Sequence, residues 1–158
     1  MKKIVNPWIG VEGYFCFGCS PDNPKGLKME FYEDGEDIIA LWSPSEYSQG
    51  WVKTLHGGIQ CTLMDEIAAW VIARRLQTTG VTSKLNARFL KSISTDEVQL
   101  TVKARLLERK RNAVFLKAEI FDSQGDICAD AEMVYFIVPP EKAAGEFFFR
   151  GCRTEDEI

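Results

Sequence analysis

Hydrophobic and polar residues alternate with a period of two through most of the second half of the chain. In 98–106, Val98, Leu100, Val102, Ala104 and Leu106 fall on one face, and Gln99, Thr101, Lys103 and Arg105 on the other. Residues 114–121 repeat the pattern, with Val114, Leu116, Ala118 and Ile120 opposite Lys117 and Glu119. Residues 127–138 follow it until both faces turn apolar at the end, and 82–91 set Leu85, Ala87 and Phe89 against Lys84, Asn86 and Arg88. Each run reads as a half-buried strand. Earlier, alternation over 26–31, a turn at Glu33-Asp34-Gly35 and a second run over 37–43 predict a hairpin spanning 27–43. Residues 57–79 are different. Ile59, Leu63, Met64, Ile67, Ala68, Trp70, Val71, Ile72 and Leu76 recur at helical spacing over a run too long for one strand, and Gly80 is placed to cap the end.

The predicted order is β-β-α-β-β-β-β, an α+β class. An antiparallel six-stranded sheet wrapped around one long central helix satisfies the pattern. Residues 1–26 read as a loop segment packed on the domain, 27–138 as the domain itself, and 139–158 as a tail. The helix is apolar nearly all round, so a single sheet leaves some of its surface uncovered. Dimerisation is expected on that ground alone.

Composition narrows the partners. The 158 residues suit one domain, with 46% apolar and 27% charged residues. A net charge of −4 gives no basic footprint for nucleic acid. No signal-peptide core follows the two N-terminal lysines, and no stretch is long and apolar enough to span a membrane, so a cytoplasmic location is expected. Cys16, Cys19, Cys61, Cys128 and Cys152 are odd in number and form no disulfide framework.

Candidate chemistry lies in and just before the helix. Asp65 and Glu66 interrupt an apolar run, and a buried carboxylate needs a partner or a use. The two point about 100° apart on a helix, so they serve different places. At the helix entrance, His56-Gly57-Gly58 leaves backbone N–H groups uncovered at the positive end of the dipole, where a developing negative charge is favoured. A loop that only needs glycine torsions is the alternative. Gly58 and Asp65 are separated by roughly 10 Å along a helix, at about 1.5 Å per residue. One helix cannot bring both to the same carbon. If both act, they come from two chains. His56 is the only histidine, and it could hold the loop, contact a substrate or act as a base. A zinc site on Cys16-x-x-Cys19 would need further ligands, with only Cys152 or His56 in view, so no metal is expected. No G-x-S-x-G elbow, Walker A loop or G-x-G-x-x-G occurs.

These residues carry a family resemblance. Leu55-His56-Gly57-Gly58-Ile59-Gln60-Cys61-Thr62-Leu63-Met64-Asp65 resembles the HGG-x-x-x-T-L-x-D signature of PaaI-like hotdog-fold acyl-CoA thioesterases. The segment Gly80 to Lys91 resembles that family's following strand, and Cys16-Phe17-Gly18-Cys19 to Gly26-Leu27 is similar to one branch of it. The resemblance covers roughly residues 14–138. It implies a hotdog fold, a dimer with a continuous sheet that often pairs into a tetramer, and hydrolysis of acyl-CoA without a cofactor. On it, Asp65 matches the general base or nucleophile, and the Gly57 N–H of the partner chain matches the group that polarises the thioester carbonyl. His56 matches a positioning residue, and Thr82 a hydroxyl that holds the attacking water. Gly58, Gln49, Glu66 and Asn86 are candidate substrate contacts, with Lys91, Arg109 and Arg111 for the CoA phosphates. Trp51, Trp70 and Phe89 are candidates for an apolar pocket. Three positions depart from the pattern. Gly50 stands where relatives carry Asn, with Gln49 beside it. Glu66 follows Asp65 where a small or polar residue is usual. Thr82 shares the parity of Lys84 and Asn86, and reaches the site only if the strand start bends or faces the dimer seam. A non-catalytic hotdog module that binds acyl-CoA as a sensor is the alternative function.

Overall fold

The computed structural model describes residues 1–158. One antiparallel sheet of eight strands runs in the order β4-β7-β6-β5-β3-β2-β1-β8. The strands are β1 (Lys2–Val5), β2 (Phe31–Asp34), β3 (Asp37–Trp42), β4 (Gly80–Phe89), β5 (Leu100–Lys110), β6 (Ala113–Phe121), β7 (Ile127–Ile137) and β8 (Arg153–Thr154). A 20-residue helix α1 (Gly57–Leu76) lies against one face, and a short helix α2 (Pro140–Glu146) follows β7. No helix is long and apolar enough to cross a membrane.

Most of the period-two residues face α1 as expected, although Val98 lies before β5 and is exposed. Leu100, Val102, Ala104, Val114, Leu116, Ala118 and Ile120 are all buried with the helix residues Leu63, Met64, Ile67, Val71 and Ile72 in one core. The strand register adds a detail that alternation alone does not show. Ala104 pairs with Ala118, Ala118 with Ala131, and Ala131 with Ala87. Four alanines thus form a row straight across four strands. Small side chains facing bulky helical ones let two layers interdigitate at interior density.

The sheet has eight strands rather than six. The two extra strands come from the segments read as loop and tail. β1 pairs with β2 on one side and with the two-residue β8 on the other. The tail is thereby part of the core: Phe149, Cys152 and Thr154 are buried. Strands of two and four residues are too short for period two to register against background.

Two further expectations are corrected. Residues 27–30 do not join the sheet. Their donors go to the N-terminal loop, Leu27 N–H to Phe17 O at 2.7 Å and Met29 N–H to Gly18 O at 2.9 Å. Lys28, with φ of 54°, breaks the extended run. Gly80 is not the helix cap but the first residue of β4. The cap is Gln77, left-handed at φ 52° and ψ 43°. A non-glycine residue is held there because its side chain is clamped from three directions. Gln77 Nε2 donates to the carbonyls of Arg74 and Cys152, and Oε1 accepts from Cys152 N–H.

Arg74 ties the helix end to β2 and to the C-terminal tail. Its guanidinium is shared between Glu33, in β2, and Glu157 in the tail, and it also donates to Cys152 O. Arg74 holds the Glu33 carboxyl below the usual carboxylate range. A lowered folded value means that the pair stabilises the fold above that ordinary range, and that this stabilisation fades as pH falls through the lowered value. Arg74→Met should lower the urea midpoint at pH 7 by the equivalent of about 1–2 kcal/mol, less than for a fully orphaned buried carboxylate, since Glu33 keeps only Arg75 as a partner, at 3.2 Å. The difference from wild type should shrink in acid. An equal difference at both pH values would contradict the pairing.

Candidate active site

Asp65 lies halfway along α1, on a face that the sheet covers only in part. Two hydroxyls converge on one of its oxygens. Thr82 Oγ1 donates to Asp65 Oδ1 at 2.7 Å, and the Tyr135 hydroxyl donates to the same atom. Asp65 Oδ2 has no protein partner. Tyr135 is 1% exposed and also lies 2.6 Å from the Asp65 carbonyl oxygen. Burial, followed by the Asp65 charge, pushes the Tyr135 phenol well above its usual value. It therefore stays protonated as a donor at any ordinary pH.

A β-bulge puts Thr82 there. The β4–β7 register shifts between Thr82 and Lys84, so Thr82 opposes Tyr135 while Lys84 opposes Val134. The extra residue, Ser83, inverts the parity. Thr82 then shares the inward face with Leu85 and Ala87, although strict alternation from the sequence assigns it outward. Tyr135 was missed by sequence reasoning. Its position was readable in principle, because it continues the inward series Ala129, Ala131 and Met133 of β7.

The helix entrance is built around His56, the N-cap. Its Nδ1 accepts from Gly58 N–H at 2.8 Å. The neutral ring therefore carries its proton on Nε2, which faces outward. His56 N–H is held by Ser48 O, and Leu55 N–H by Ile93 O, which pins the loop to its neighbours. Gln60 N–H makes the first intrahelical bond, to His56 O. The N–H groups of Gly57 and Ile59 have no acceptor in the chain, as expected of a helix start. A β-carbon at Gly57 would meet only Phe89, at 3.6 Å, so intrachain packing alone does not demand glycine. A β-carbon at Gly58 would sit 3.0 Å from His56 Nδ1 and crowd the cap.

Helix α1 is unbroken from Gly57 to Leu76. Gly57 and Asp65 are therefore about 12 Å apart along its axis, at about 1.5 Å per residue. The two halves of the candidate site remain separate within one chain.

The other candidates are distributed as follows. Gln49 lines a cavity of about 520 Å³ with Gly50, Trp51, His56 and Gly57, and its Oε1 accepts from Lys53 N–H. Gly50 packs against the His56 ring, where a β-carbon would fit at 3.4 Å. Asn86 is exposed on the face of β4 away from the helix, beside Glu132. Lys91 is tied to Asp122 at 2.7 Å and Asp126 at 2.9 Å. Arg109 and Arg111 make no ion pair and stand at the exposed β5–β6 turn, with Arg109 Nε donating to Arg111 O. Arg109 lies in the cross-strand row Arg109–Val114–Tyr135–Thr82. That puts it about 14 Å from Thr82, at about 4.8 Å per strand. Trp70 is a core residue stacked on Phe31 at 4.3 Å, whereas Trp51 is 85% and Phe89 55% exposed.

Glu66 points away from Asp65. Its carboxylate meets Cys16 Sγ at 3.4 and 3.6 Å and accepts from Trp70 Nε1 at 3.2 Å. Burial and then the neighbouring Cys16 sulfur push it up to about 7. In this chain it is no neighbour of the Asp65 cluster. The reason is the step of about 100° between consecutive helix residues.

The thioesterase superfamily matches residues 53–129, which hold His56, Gly57, Asp65 and Thr82. No curated protein matches the sequence. Among solved structures, a hypothetical thioesterase from Streptococcus pneumoniae, determined with coenzyme A, is similar with a TM-score of 0.65 and 22% identity, covering 70% of this chain and 88% of its own. A thioesterase from Haemophilus influenzae gives 0.65 and 19%, covering 72% and 80%. A Streptococcus mutans protein bound to acetyl CoA gives 0.62 and 18%, covering 70% and 88%. With the match over residues 53–129 and the shared fold around it, the chain has the hotdog fold and is similar to the thioesterase superfamily over that stretch.

Proposed function

We propose that this protein hydrolyses acyl-CoA thioesters to the free acid and CoA, at a site shared by two chains. The observation that carries the reading is the environment of Asp65. Two hydroxyl donors fix one carboxylate oxygen and leave the other free on a partly open helix face. A carboxylate with only a structural task would use both oxygens or be replaced by an apolar residue. Two of the similar structures contain coenzyme A or acetyl CoA, which supports the substrate class.

The chemistry follows from the donors. Asp65 Oδ2 takes a proton from water as that water attacks the thioester carbon. Charge builds on the carbonyl oxygen, and the Gly57 N–H of the partner chain stabilises it. The C–S bond then breaks, and the CoA thiolate leaves with a proton returned from Asp65. Alternatively, Asp65 Oδ2 attacks directly, and water then hydrolyses the mixed anhydride. Thr82 and Tyr135 hold the carboxylate in either case. His56 presents Nε2–H toward the substrate carbonyl or its arm, with Gly58 and Gln49 beside it. Arg109 and Arg111, free of carboxylate partners, are assigned to the CoA phosphates. Lys91 would first have to leave Asp122 and Asp126. In the dimer, Asn86 reaches the substrate from the outer face of β4.

Dimerisation has its own support. β4 is the end strand of the sheet, ten residues long, with one backbone edge unpaired. An exposed edge of that length invites pairing. Val81, Phe89 and Leu90 along it are exposed, as are Tyr47, Trp51 and Val52 near His56. Pairing β4 with β4 of a second copy would cover this surface and bring each Gly57 toward the partner's α1. Pairing into a tetramer and a cytoplasmic location complete the reading. A second reading, a sensor that binds acyl-CoA without turnover, keeps the cavity and the dimer but not the role of Asp65.

A panel of aromatic, short-chain and medium-chain acyl-CoA thioesters, with released thiol as readout, separates the two. Asp65→Asn should retain the fold and lose at least about 100-fold in kcat, the usual contribution of a positioned base. Wild type without turnover on any thioester, or a variant with an unchanged rate, would contradict the hydrolase reading. Gly57→Pro tests the other half. Position 57 is the first helical residue, where proline is tolerated, and His56 at φ −62° and ψ 132° already has the extended conformation that precedes proline. The substitution deletes the N–H and little else. It should keep the melting temperature near wild type while lowering kcat by about 10²–10³-fold. Full activity in that variant would remove Gly57 from the mechanism.

A further inference from the structure

Cys16, Cys19 and Glu66 come together on a different face of α1 from Asp65, with one potential ligand atom from each lying within 4.8 Å of the others. We propose that they bind a thiophilic divalent cation of the zinc type, which clasps the N-terminal segment to the helix. Spacing in the chain conceals the set, because its third member lies 47 residues beyond Cys19. The thioesterase reading does not use this site.

The distances suit one ion. A Zn–S bond of about 2.3 Å and a Zn–O bond of about 2.0 Å at the tetrahedral angle place sulfur and oxygen about 3.5 Å apart. Cys16 Sγ lies 3.4 and 3.6 Å from the two Glu66 oxygens. Two sulfurs and one carboxylate form a donor set that favours zinc over calcium or magnesium.

The surroundings are shaped for a close approach of loop and helix. A β-carbon at Gly18 would lie 2.4 Å from Glu66 Cδ, so only glycine lets the Cys-x-x-Cys loop seat against that carboxylate. Tyr14 OH lies 2.9 Å from Cys19 Sγ and receives Asn6 Nδ2–H at 2.8 Å, while Trp70 Nε1–H fixes Glu66. Around the three ligands, therefore, stands a second ring of fixed partners. Cys16, Cys19 and Glu66 line a cavity of about 530 Å³ between α1 and the N-terminal segment, together with Trp8, Phe15 and Ala69, which leaves room at a fourth coordination position. Water or the Tyr14 oxygen can take it. Binding replaces the thiol protons of Cys16 and Cys19, which pass to solvent, and involves no oxidation or reduction.

The full-length protein, reduced and stripped with a chelator, is titrated with Co²⁺ alone and then with Zn²⁺. One Co²⁺ per chain is expected, with thiolate-to-metal charge-transfer absorption and the intense visible bands of a tetrahedral ion, all displaced by Zn²⁺. Cys16→Ser and Cys19→Ser should abolish these bands, while Cys61→Ser and Cys128→Ser should leave them intact. Glu66→Gln should weaken binding by more than the roughly 10–100-fold that loss of an outer-shell partner costs. Zn²⁺ should raise the melting temperature of wild type but not of Cys16→Ser, because only a protein that binds the ion gains from it. The wild-type titration decides the matter even if the serine variants fold poorly. No Co²⁺ uptake, a weak octahedral spectrum without thiolate charge transfer, or bands that survive in a folded Cys16→Ser would overturn the site. Unchanged affinity in Glu66→Gln would remove Glu66 from it.

Discussion

Two carboxylates on adjacent residues of a buried helix cannot share one environment, and the chain builds a separate one for each. Asp65 and Glu66 diverge by about 100° around α1. On one side, a bulge in β4 and a phenol from β7 converge on Asp65. On the other, a loop from the N-terminus brings Cys16 and Cys19 to Glu66, and Gly18 makes that approach possible. Much of the irregular structure serves these two groups. An unpartnered carboxylate in either place would oppose the packing that the rest of α1 provides.

The same helix sets a length that the chemistry has to respect. Its free N–H groups stand at Gly57 and the carboxylate of Asp65 eight residues later, on one rigid rod. No side-chain rotation shortens that separation. The sheet then ends in β4, whose open edge lies beside Thr82 at one end and, through Phe89, beside Gly57 at the other. An edge that seeks a partner and a site that is split along a rod are complementary. A two-fold pair of chains would meet both requirements at once.

The regular parts of this architecture were legible in the sequence because they repeat. The long strands and α1 each bury a face many residues long, so periodicity identifies them and mislays only their ends. What periodicity could not carry were single-residue events and very short pairings. Ser83 shifts the parity of Thr82 by one residue, and nothing in the sequence marks it as a bulge. Gln77 adopts a glycine-like conformation because the distant Cys152 backbone clamps it. Met29 and Leu27 alternate like a strand but bond to Phe17 and Gly18. β1 and β8 pair across almost the whole chain with too few residues to show a period. For the candidate site, Asp65, His56 and the glycines were readable from motif and burial logic. The inward parity of Tyr135 was readable from β7, but its contact with Asp65 and the third member of the cysteine cluster were not, because both depend on contacts between distant segments.

Sharing of the site between chains is the central claim, and subunit complementation tests it most directly. Asp65→Asn and Gly57→Pro chains are co-expressed, and the mixed dimers are assayed for thioester hydrolysis beside each parent. In a two-fold dimer, each mixed pair holds one site with both defects and one with neither, so random mixing should restore about a quarter of wild-type activity. Mixed preparations that form heterodimers yet remain as inactive as the parents would show that Asp65 and Gly57 of the same chain act together, and would contradict a site shared between chains.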